Sequence, residues 1–390
     1  MNPNPAVGVL YHWLGGLASG SFYVPYRGVK GWAWETFWLA GGFFSWIIAP
    51  WFLAGLLTKD LFAVLHEAPA SSLMWAVFFG LLWGVGGLTF GLTMRFLGLS
   101  LGMAMVLGLC AAFGTLMPPI FGGIFMSQVV GTPSGRVILL GIFVCLLGIA
   151  VAGLAGISKE RNMSTEQKQA VIKEFDLKKG TGVAILSGVM SACFAYGLAA
   201  GDPIKAITVK HGTDPLWQGL PVLIVVLVGG FTTNFVWCVW LNMRNQTGHQ
   251  YFSSAPGKLG PGSTPLETAV DAPSREMAEH IPSRVAVLQA PAIKKVPMLR
   301  NYLLCALAGT TWYFQFFFYS MGETQMGQYR FSSWTLHMAS IIIFSSLWGI
   351  GLKEWKGAGT RAGGLLTLAL LLLVGSTVIV GYGNYLGLNH

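Results

Sequence analysis

Two histidines lie within long stretches that contain no Asp, Glu, Lys or Arg. Of the seven histidines in the chain, His12 and His337 are the ones placed inside such stretches rather than at their ends. An ionisable side chain in an apolar segment is rare and usually functional. Imidazole titrates near neutral pH, so either residue could carry a proton, although a histidine hydrogen-bonded to a neighbouring helix is the alternative. We take His337 first and His12 second as candidate proton carriers.

Three charged residues stand at the borders of apolar stretches. Glu35 opens one of them, where it could cap a helix N-terminus or serve as a third candidate proton carrier. Arg95 occupies a very short turn, where it could anchor the chain or form an ion pair with Glu35. Glu354 follows another stretch and could be a surface charge beside Trp355. Arg95 and Glu354 are our candidate gate residues.

One apolar stretch carries aromatic and amide side chains on the same helical face. Trp312, Gln315 and Tyr319 are spaced i, i+3 and i+7. A sugar needs an aromatic surface for its C–H groups and amide or hydroxyl partners for its oxygens, and this face offers both. A lipid-facing run of Phe with a buried Gln is the alternative. Asn234 is a second buried amide that needs a partner, so these four residues are candidate substrate ligands.

The segments that must position these residues are membrane-spanning helices. A hydrocarbon core of about 30 Å needs about 20 apolar residues in a helix. Windows free of charged residues run over 1–26, 36–58, 68–94, 96–135, 137–158, 180–201, 215–243, 301–322, 331–352 and 362–390. The 96–135 window is interrupted at Met117-Pro118-Pro119 and at Gly122 and Gly123, so it predicts one helix followed by a loop or re-entrant tail. The fold class expected is an all-α membrane protein with ten transmembrane helices.

The distribution of basic residues predicts the orientation of these helices. The loops after spans 1, 3, 5, 7 and 9 hold 19 of the 24 Lys and Arg residues. Cytoplasmic loops are enriched in Lys and Arg, so these loops are expected in the cytoplasm and both termini outside it.

A polar loop divides the spans into two sets of five, which predicts two repeats of opposite orientation. Gly16-Leu-Ala-Ser-Gly-Ser-Phe22 resembles Gly188-Val-Met-Ser-Ala-Cys-Phe194. Inverted repeats are typical of secondary transporters, although small residues at helix contacts would give a similar pattern. The predicted units are a first repeat at 1–157, a cytoplasmic linker at 158–179, and a second repeat at 180–390 with a long, loosely attached cytoplasmic loop at 242–298.

Composition and motifs exclude several classes of protein. Charged residues make up 10% and hydrophobic residues 54% of the chain, too few charges to cover a soluble surface. The net charge of +9 fits basic loops on one side of a membrane, and we expect no nucleic-acid partner. The five cysteines lie in apolar runs without a CxxC pair. Catalytic, metal-binding and phosphate-binding motifs are missing, so we expect no enzyme, cofactor or metal. The N-terminus lacks the basic region of a cleaved signal peptide.

Short motifs recur in order along nearly the whole chain. They are Phe22-Tyr-Val-Pro-Tyr26, Lys30-Gly-Trp-Ala-Trp-Glu-Thr36, Gly91-Leu-Thr-Met-Arg-Phe-Leu-Gly98, Gly114-Thr-Leu-Met117, Glu174-Phe-Asp-Leu-Lys-Lys-Gly180, Trp312-Tyr-Phe-Gln-Phe-Phe-Phe-Tyr319, Trp334-Thr-Leu-His-Met338 and Leu352-Lys-Glu-Trp355. With these motifs the sequence resembles the L-rhamnose–proton symporters of the drug/metabolite transporter superfamily, and His12 falls in a matching first span. Gly201-Asp202-Pro203, Met321-Gly-Glu-Thr324 and the length of the 242–298 loop depart from the family pattern.

The resemblance implies ten helices in two inverted repeats and proton-driven uptake of a 6-deoxy sugar. The partners expected are therefore L-rhamnose or a related sugar, the proton and the lipid bilayer of a bacterial inner membrane. Two other functions stay open at this stage. They are export of small metabolites on the same scaffold, and sugar sensing without transport, with the 242–298 loop as a signalling contact.

Overall fold

The computed structural model describes residues 2–97, 99–161, 176–254 and 295–388, and its elements are helices. We label the long helices by their order in the chain. They are α1 (Pro5–Ser21), α2 (Trp34–Leu57), α3 (Ala70–Leu97), α4 (Leu99–Phe121), α5 (Pro133–Arg161), α6 (Leu177–Ala200), α7 (Leu220–Asn245), α8 (Met298–Thr324), α9 (Ser333–Gly351) and α10 (Thr360–Leu388).

Eight helical stretches in the described ranges are long and apolar enough to cross a membrane. They contain α2 to α7, α9 and α10, which agrees with eight of the ten predicted spans. The two other predicted spans coincide with α1, which has 17 residues, and α8, which has 27 residues. α8 is long, but its Trp, Tyr, Gln and Thr residues lower its hydropathy.

Local sequence explains where several helices begin and end. Asn4 caps α1 by accepting a hydrogen bond from the Val7 N–H, and Pro5 occupies the first turn. The predicted break between Met117 and Gly123 lies at its glycine end, because α4 continues through both prolines to Phe121 and stops directly before Gly122. Each proline lacks the N–H that would bond the carbonyl four residues back, so the last turn is weakened and the helix ends two residues after Pro119. The chain then turns at Gly123, whose φ of 70° suits glycine.

The helices pack in a pattern that pairs particular neighbours. α1 packs against α8 and α9, whereas α6 packs against α3 and α4. α5 packs along α10, α2 contacts α7, and α4 contacts α9. Small residues allow the close crossings: a Cβ at Gly84 of α3 would lie 2.7 Å from the Thr233 Cβ of α7.

The bundle has two ends, which we name by the chain segments they contain. At the terminal face, the Asn4 N–H donates to Gln325 Oε1 at 3.0 Å, and the Gln328 side chain donates to the Gly387 carbonyl at 3.4 Å. The opposite end, the linker face, contains residues 27–33, 245–254 and 352–359.

Part of the predicted 242–298 loop is packed on the linker face, so the expectation of loose attachment is wrong for residues 245–254. The Tyr302 hydroxyl donates to the Tyr251 carbonyl at 2.8 Å, and the Val296 N–H donates to the Ser254 carbonyl at 2.9 Å. The polar side chains here find buried partners, which composition alone did not reveal. Residues 162–175 of the predicted linker and 255–294 of the loop lie outside the described residues.

Candidate functional site

His12 and His337 lie on either side of one tyrosine in the middle of the protein. The ring centroid of Tyr319 is 5.3 Å from that of His12 and 5.3 Å from that of His337. All three side chains are buried, and Trp334 borders the group with its ring 5.7 Å from Tyr319. We call these four residues the histidine cluster. The structure thus brings together two candidate proton carriers and one candidate sugar ligand from three helices.

Close packing of α1 against α8 and α9 creates the histidine cluster. A Cβ at Gly16 would collide with Ser340 of α9, and one at Gly322 would lie 2.8 Å from His12 Nε2. Ser340 Oγ lies 2.8 Å from both the His12 and His337 carbonyl oxygens, and its hydroxyl can donate to either. Glycine and serine therefore let the two histidine-bearing helices approach until their side chains share one site.

Several polar atoms in this region have no hydrogen-bond partner among the described residues. They are both ring nitrogens of His12, Nδ1 of His337 and Nε2 of Gln315. Buried polar groups are normally paired, and each unpaired one costs roughly 1–3 kcal/mol. Imidazole nitrogens and an amide N–H left open in a buried site can accept a proton and donate to a hydroxyl. The arrangement is therefore suited to binding a polar, uncharged molecule beside a titratable pair.

Trp312, the third residue of the predicted α8 face, lies in a group of aromatic rings towards the linker face. Its ring stacks on Phe22 at 4.8 Å and lies 5.2 Å from the rings of both Trp38 and Trp46. We call Trp38, Trp46, Trp83 and Trp312 the indole group. Gln315 lies between Trp312 and Tyr319 on α8, so the predicted face connects the indole group to the histidine cluster.

Asn234 is connected to the same region through Trp38. Its amide oxygen accepts a hydrogen bond from Trp38 Nε1 at 3.3 Å, and its amide nitrogen donates to the Gly230 carbonyl at 2.9 Å. Both ends of the amide thus have protein partners. Asn234 therefore orients an indole of the group, which differs from the free amide N–H of Gln315.

The crossing of α4 and α9 supports the histidine cluster from the side. Trp334 Nε1 donates to the Cys110 carbonyl at 3.0 Å, and the Thr115 and Thr335 hydroxyls are 2.8 Å apart. A Cβ at Gly114 would collide with the Trp334 indole. These contacts fix the indole of Trp334 against Tyr319.

An ionic group covers the histidine cluster at the terminal face. Lys205 Nζ lies 2.9 and 3.1 Å from the Glu323 carboxylate oxygens and 3.1 Å from Asp202 Oδ1. Arg330 is 3.8 Å from Asp202. Lys205 is 3% exposed, so its charge is taken out of water and balanced by the two acids. α6 ends at Ala200, and the Asp202-Pro203 pair begins the short helix Asp202–Lys210.

Glu35 lies in a different polar group, on the linker face. Its Oε1 accepts hydrogen bonds from Asn245 Nδ2 at 3.0 Å and from Thr247 Oγ1 at 2.8 Å. Thr36 extends the group by donating to Gln250 Oε1 at 2.9 Å. This carboxylate is 2% exposed and joins the start of α2 to the chain that follows α7.

The two candidate gate residues, Glu354 and Arg95, also belong to the linker-face end of the bundle. Glu354 is 3.5 Å from Arg27 Nη2, and the neighbouring Trp355 ring lies 4.5 Å from Lys159 Nζ. Arg95 lies near the end of α3, and its side chain is outside the described residues, as is the predicted pair with Glu35.

Sequence reasoning missed the indole partners of Trp312 and the pairing of Glu323 with Lys205 in the ionic group. Glu323 follows Tyr319 by four residues, so the same helical spacing that selected Trp312, Gln315 and Tyr319 extends to it. Trp46 and Lys205 gave no comparable signal, because their partners come from distant parts of the chain. The described residues contain no group of three or more His, Cys, Asp or Glu arranged to hold a metal ion.

Comparison with known proteins identifies the family. The family model of the L-rhamnose-proton symport protein (RhaT) matches residues 1–255 and 283–385. An L-rhamnose-proton symporter of Cronobacter sakazakii is 35% identical over 380 residues, covering 97% of both chains. An L-rhamnose-proton symporter of Salmonella gallinarum is 34% identical over 378 residues, again covering 97% of both chains. The chain therefore belongs to the L-rhamnose-proton symport protein family, which is a family of transporters and not of enzymes.

Proposed function

We propose that this protein imports L-rhamnose, or a closely similar 6-deoxy sugar, together with a proton. The observation that carries the proposal is the joining of a titratable histidine pair to an aromatic and amide face in one buried site. Relatives that match 97% of the chain are named L-rhamnose-proton symporters. A proton entering down about 100 mV gains roughly 2.3 kcal/mol, which can drive sugar accumulation.

The proposed architecture has ten transmembrane helices in two inverted repeats, 1–157 and 180–390, joined by a linker at 158–179. The packing pattern supports this division. Adding five to each helix number turns the contacts of α1 with α8 and α9 into those of α6 with α3 and α4. The pairs α2–α7, α4–α9 and α5–α10 each map onto themselves. The 242–298 loop then lies within the second repeat.

The proposed location is the bacterial inner membrane, with the terminal face towards the periplasm. Its support is the bias of Lys and Arg, 19 of 24 of which fall in the loops of the opposite side. A C-terminal phosphatase fusion should be active and a C-terminal fluorescent-protein fusion dark. The reverse pattern would overturn the orientation.

The proposed proton carrier is His337, with His12 second and Glu35 third. His337 Nδ1 has no partner in the part of the chain that the structure describes, and the ring lies next to Tyr319, so protonation there would change the charge directly beside the proposed sugar site. Glu35 takes third place because its carboxylate is held by Asn245 and Thr247 on the linker face. A proton on Glu35 would act through helix packing rather than on the sugar.

The proposed sugar ligands are Gln315, Tyr319 and Trp312, with Asn234 acting through Trp38. Gln315 supplies an unpaired amide N–H for a hydroxyl, and the Tyr319 and Trp312 rings provide apolar surface for the C–H groups. Aromatic rings at both ends of the α8 face suit a pyranose ring, which has hydroxyls at its edge and C–H groups on its faces.

The proposed outer gate is the ionic group of Lys205, Glu323, Asp202 and Arg330. Lys205 and Asp202 lie in the short helix after α6. Glu323 lies in the last turn of α8, and Arg330 lies in the segment that follows α8. Since α6 packs with α3 and α4, and α8 packs with α1, these ion pairs join two helix groups above the histidine cluster. Glu354 with Arg27, and Arg95, are the proposed gate residues of the other side.

Transport in proteoliposomes tests the proposed function. An inwardly directed proton gradient should drive radiolabelled L-rhamnose inside the vesicles to a concentration above the external one, and a protonophore should prevent this accumulation. Saturable binding without transport would instead favour a sensor, and sugar extrusion under the same gradient would favour an exporter.

A further inference from the structure

The middle of α2 is not a regular α-helix around Trp46, the residue whose ring contacts the other members of the indole group. Residues Phe44–Ile48 form a π-helical turn, in which the Ala49 N–H donates to the Phe44 carbonyl. Pro50 follows at once and has no N–H, so the main-chain ladder loses a donor at the same place. Single π turns inside helices are uncommon and are frequently found at functional sites.

This turn places two buried polar atoms without partners among the described residues. Trp46 is 1% exposed and Ser45 is 0% exposed, yet the Trp46 indole N–H and the Ser45 hydroxyl have no hydrogen-bond partner there. On α8, which packs against the turn, the Tyr313 hydroxyl and Gln315 amide N–H are in the same condition. Two helices that pack against each other thus carry four hydrogen-bonding groups, of the kind that sugars use, without partners among the described residues.

Aromatic rings surround Trp46 on several sides. Its ring centroid is 5.2 Å from Trp312, 6.2 Å from Trp83, 6.3 Å from Trp38 and 6.3 Å from Phe231. A donor enclosed by apolar rings discriminates strongly, because a ligand that lacks the matching acceptor leaves the N–H unpaired in a dry site.

We infer that Trp46 is a specificity-determining residue whose indole N–H donates to one hydroxyl of the transported sugar, and that the π turn exists to aim it. The inference rests on the proposed function and adds a ligand on α2, in the first half of the chain. Ser45 would bind the same sugar from the same turn. The sugar would then be held between α2 and α8 as well as beside the histidine cluster.

A chemical double-mutant cycle tests this inference by direct binding to purified full-length protein. The probes are L-rhamnose and its single-deoxy analogues, each lacking one hydroxyl. Trp46→Phe should weaken L-rhamnose binding about fivefold, as loss of one neutral hydrogen bond does. One analogue should bind the wild type about fivefold more weakly than L-rhamnose does, and should lose no further affinity in Trp46→Phe.

Trp32→Phe is the matched control, since Trp32 is also 1% exposed with an unpartnered indole N–H but packs against Tyr251 and Tyr302 on the linker face. It should leave binding unchanged. Ser45→Ala is a second variant if Trp46→Phe does not fold, and it should also weaken binding severalfold.

The outcomes separate this inference from the proposed function. If the wild type binds L-rhamnose and both Trp46→Phe and Ser45→Ala bind it no more weakly than Trp32→Phe does, the role of Trp46 is overturned. The proposed function would still stand. If Trp46→Phe weakens the binding of every analogue by the same factor as that of L-rhamnose, no hydroxyl is coupled to Trp46, and the proposed hydrogen bond is overturned. Wild-type protein that binds no monosaccharide overturns both.

Discussion

The Glu35 group on the linker face and the site between α8, α1 and α9 are both buried and polar, but their hydrogen bonding differs. Glu35 accepts hydrogen bonds from Asn245 and Thr247, and Thr36 donates to Gln250. In the other region, His12, His337 and Gln315 retain atoms without partners among the described residues. The satisfied Glu35 group stabilises the fold. The open atoms beside the α8 face are available to the proposed sugar because several of them lie together with aromatic rings, whereas a single open N–H such as that of Trp32 on the linker face does not mark a site.

The largest expected effect is on proton coupling. His337→Gln preserves hydrogen bonding but cannot carry a proton, so sugar-dependent alkalinisation and uphill uptake should be abolished while sugar counterflow remains measurable. His249→Gln, at an exposed position, is the matched control and should transport normally. Continued alkalinisation on adding sugar to the His337→Gln variant would rule out His337 and direct the same test to His12 and Glu35.

The next largest effect is on stability at the ionic group. Lys205→Met should lower the free energy of unfolding by roughly 3 kcal/mol, because the buried end of Glu323 loses its counter-charge. The double variant Lys205→Met/Glu323→Gln should recover most of that loss in thermal unfolding. Lys210→Met, at an exposed position of the same short helix, is the control. A double variant no more stable than Lys205→Met would show that the pair is not coupled.

Gln315→Ala and Asn245→Ala compare the two regions directly. Since Gln315 Nε2 has no partner among the described residues, its removal should raise the half-saturation for sugar about fivefold with little change in thermal stability. Phe317→Leu, on another side of α8 where Phe317 stacks on Trp217 at 5.5 Å, should leave the half-saturation unchanged. Equal effects of the two α8 variants would mean that this face does not bind the sugar.

Asn245→Ala should behave in the opposite way. It leaves Glu35 with one donor fewer in a buried site, which should cost about 1–3 kcal/mol of stability, while the half-saturation for sugar stays constant. Thermal unfolding and uptake kinetics on the same preparation measure both. A change in half-saturation without loss of stability would assign the Glu35 group to transport.

The smallest effect concerns pH at the terminal face. The hydrogen bond to Glu67, together with Asp60, raises the pKa of His211, whose Nε2 is 3.1 Å from Glu67 Oε1. The contact therefore stabilises the fold fully below the unfolded pKa of about 6.5 and is lost as the pH rises through the higher folded value. His211→Gln should flatten the pH dependence of the unfolding temperature over that range. An unchanged profile would show that this contact is not linked to folding.

The comparison also explains which parts of the site could be predicted from sequence. Helical spacing alone predicts that Trp312, Gln315 and Tyr319 share one face. Their partners could not be predicted, because no local pattern relates Trp46 or Trp38 to α8. The role of Glu35 in joining residues 245–251 to α2 was missed for the same reason, since polar residues in a proline-rich loop suggest solvent until their buried partners are known.

The sequence by itself determined the membrane class, the positions of most helices and the two histidines within apolar segments. Each follows from hydropathy and helical periodicity, which depend on neighbouring residues. Only the tertiary structure decided that His12 and His337 meet at Tyr319 and that Lys205 pairs with Glu323. It also decided that Trp46, in the π-helical turn, packs against Trp312 in the indole group. These contacts join residues distant along the chain, and close helix crossings at Gly16 and Gly322 make the meeting of the histidines physically possible.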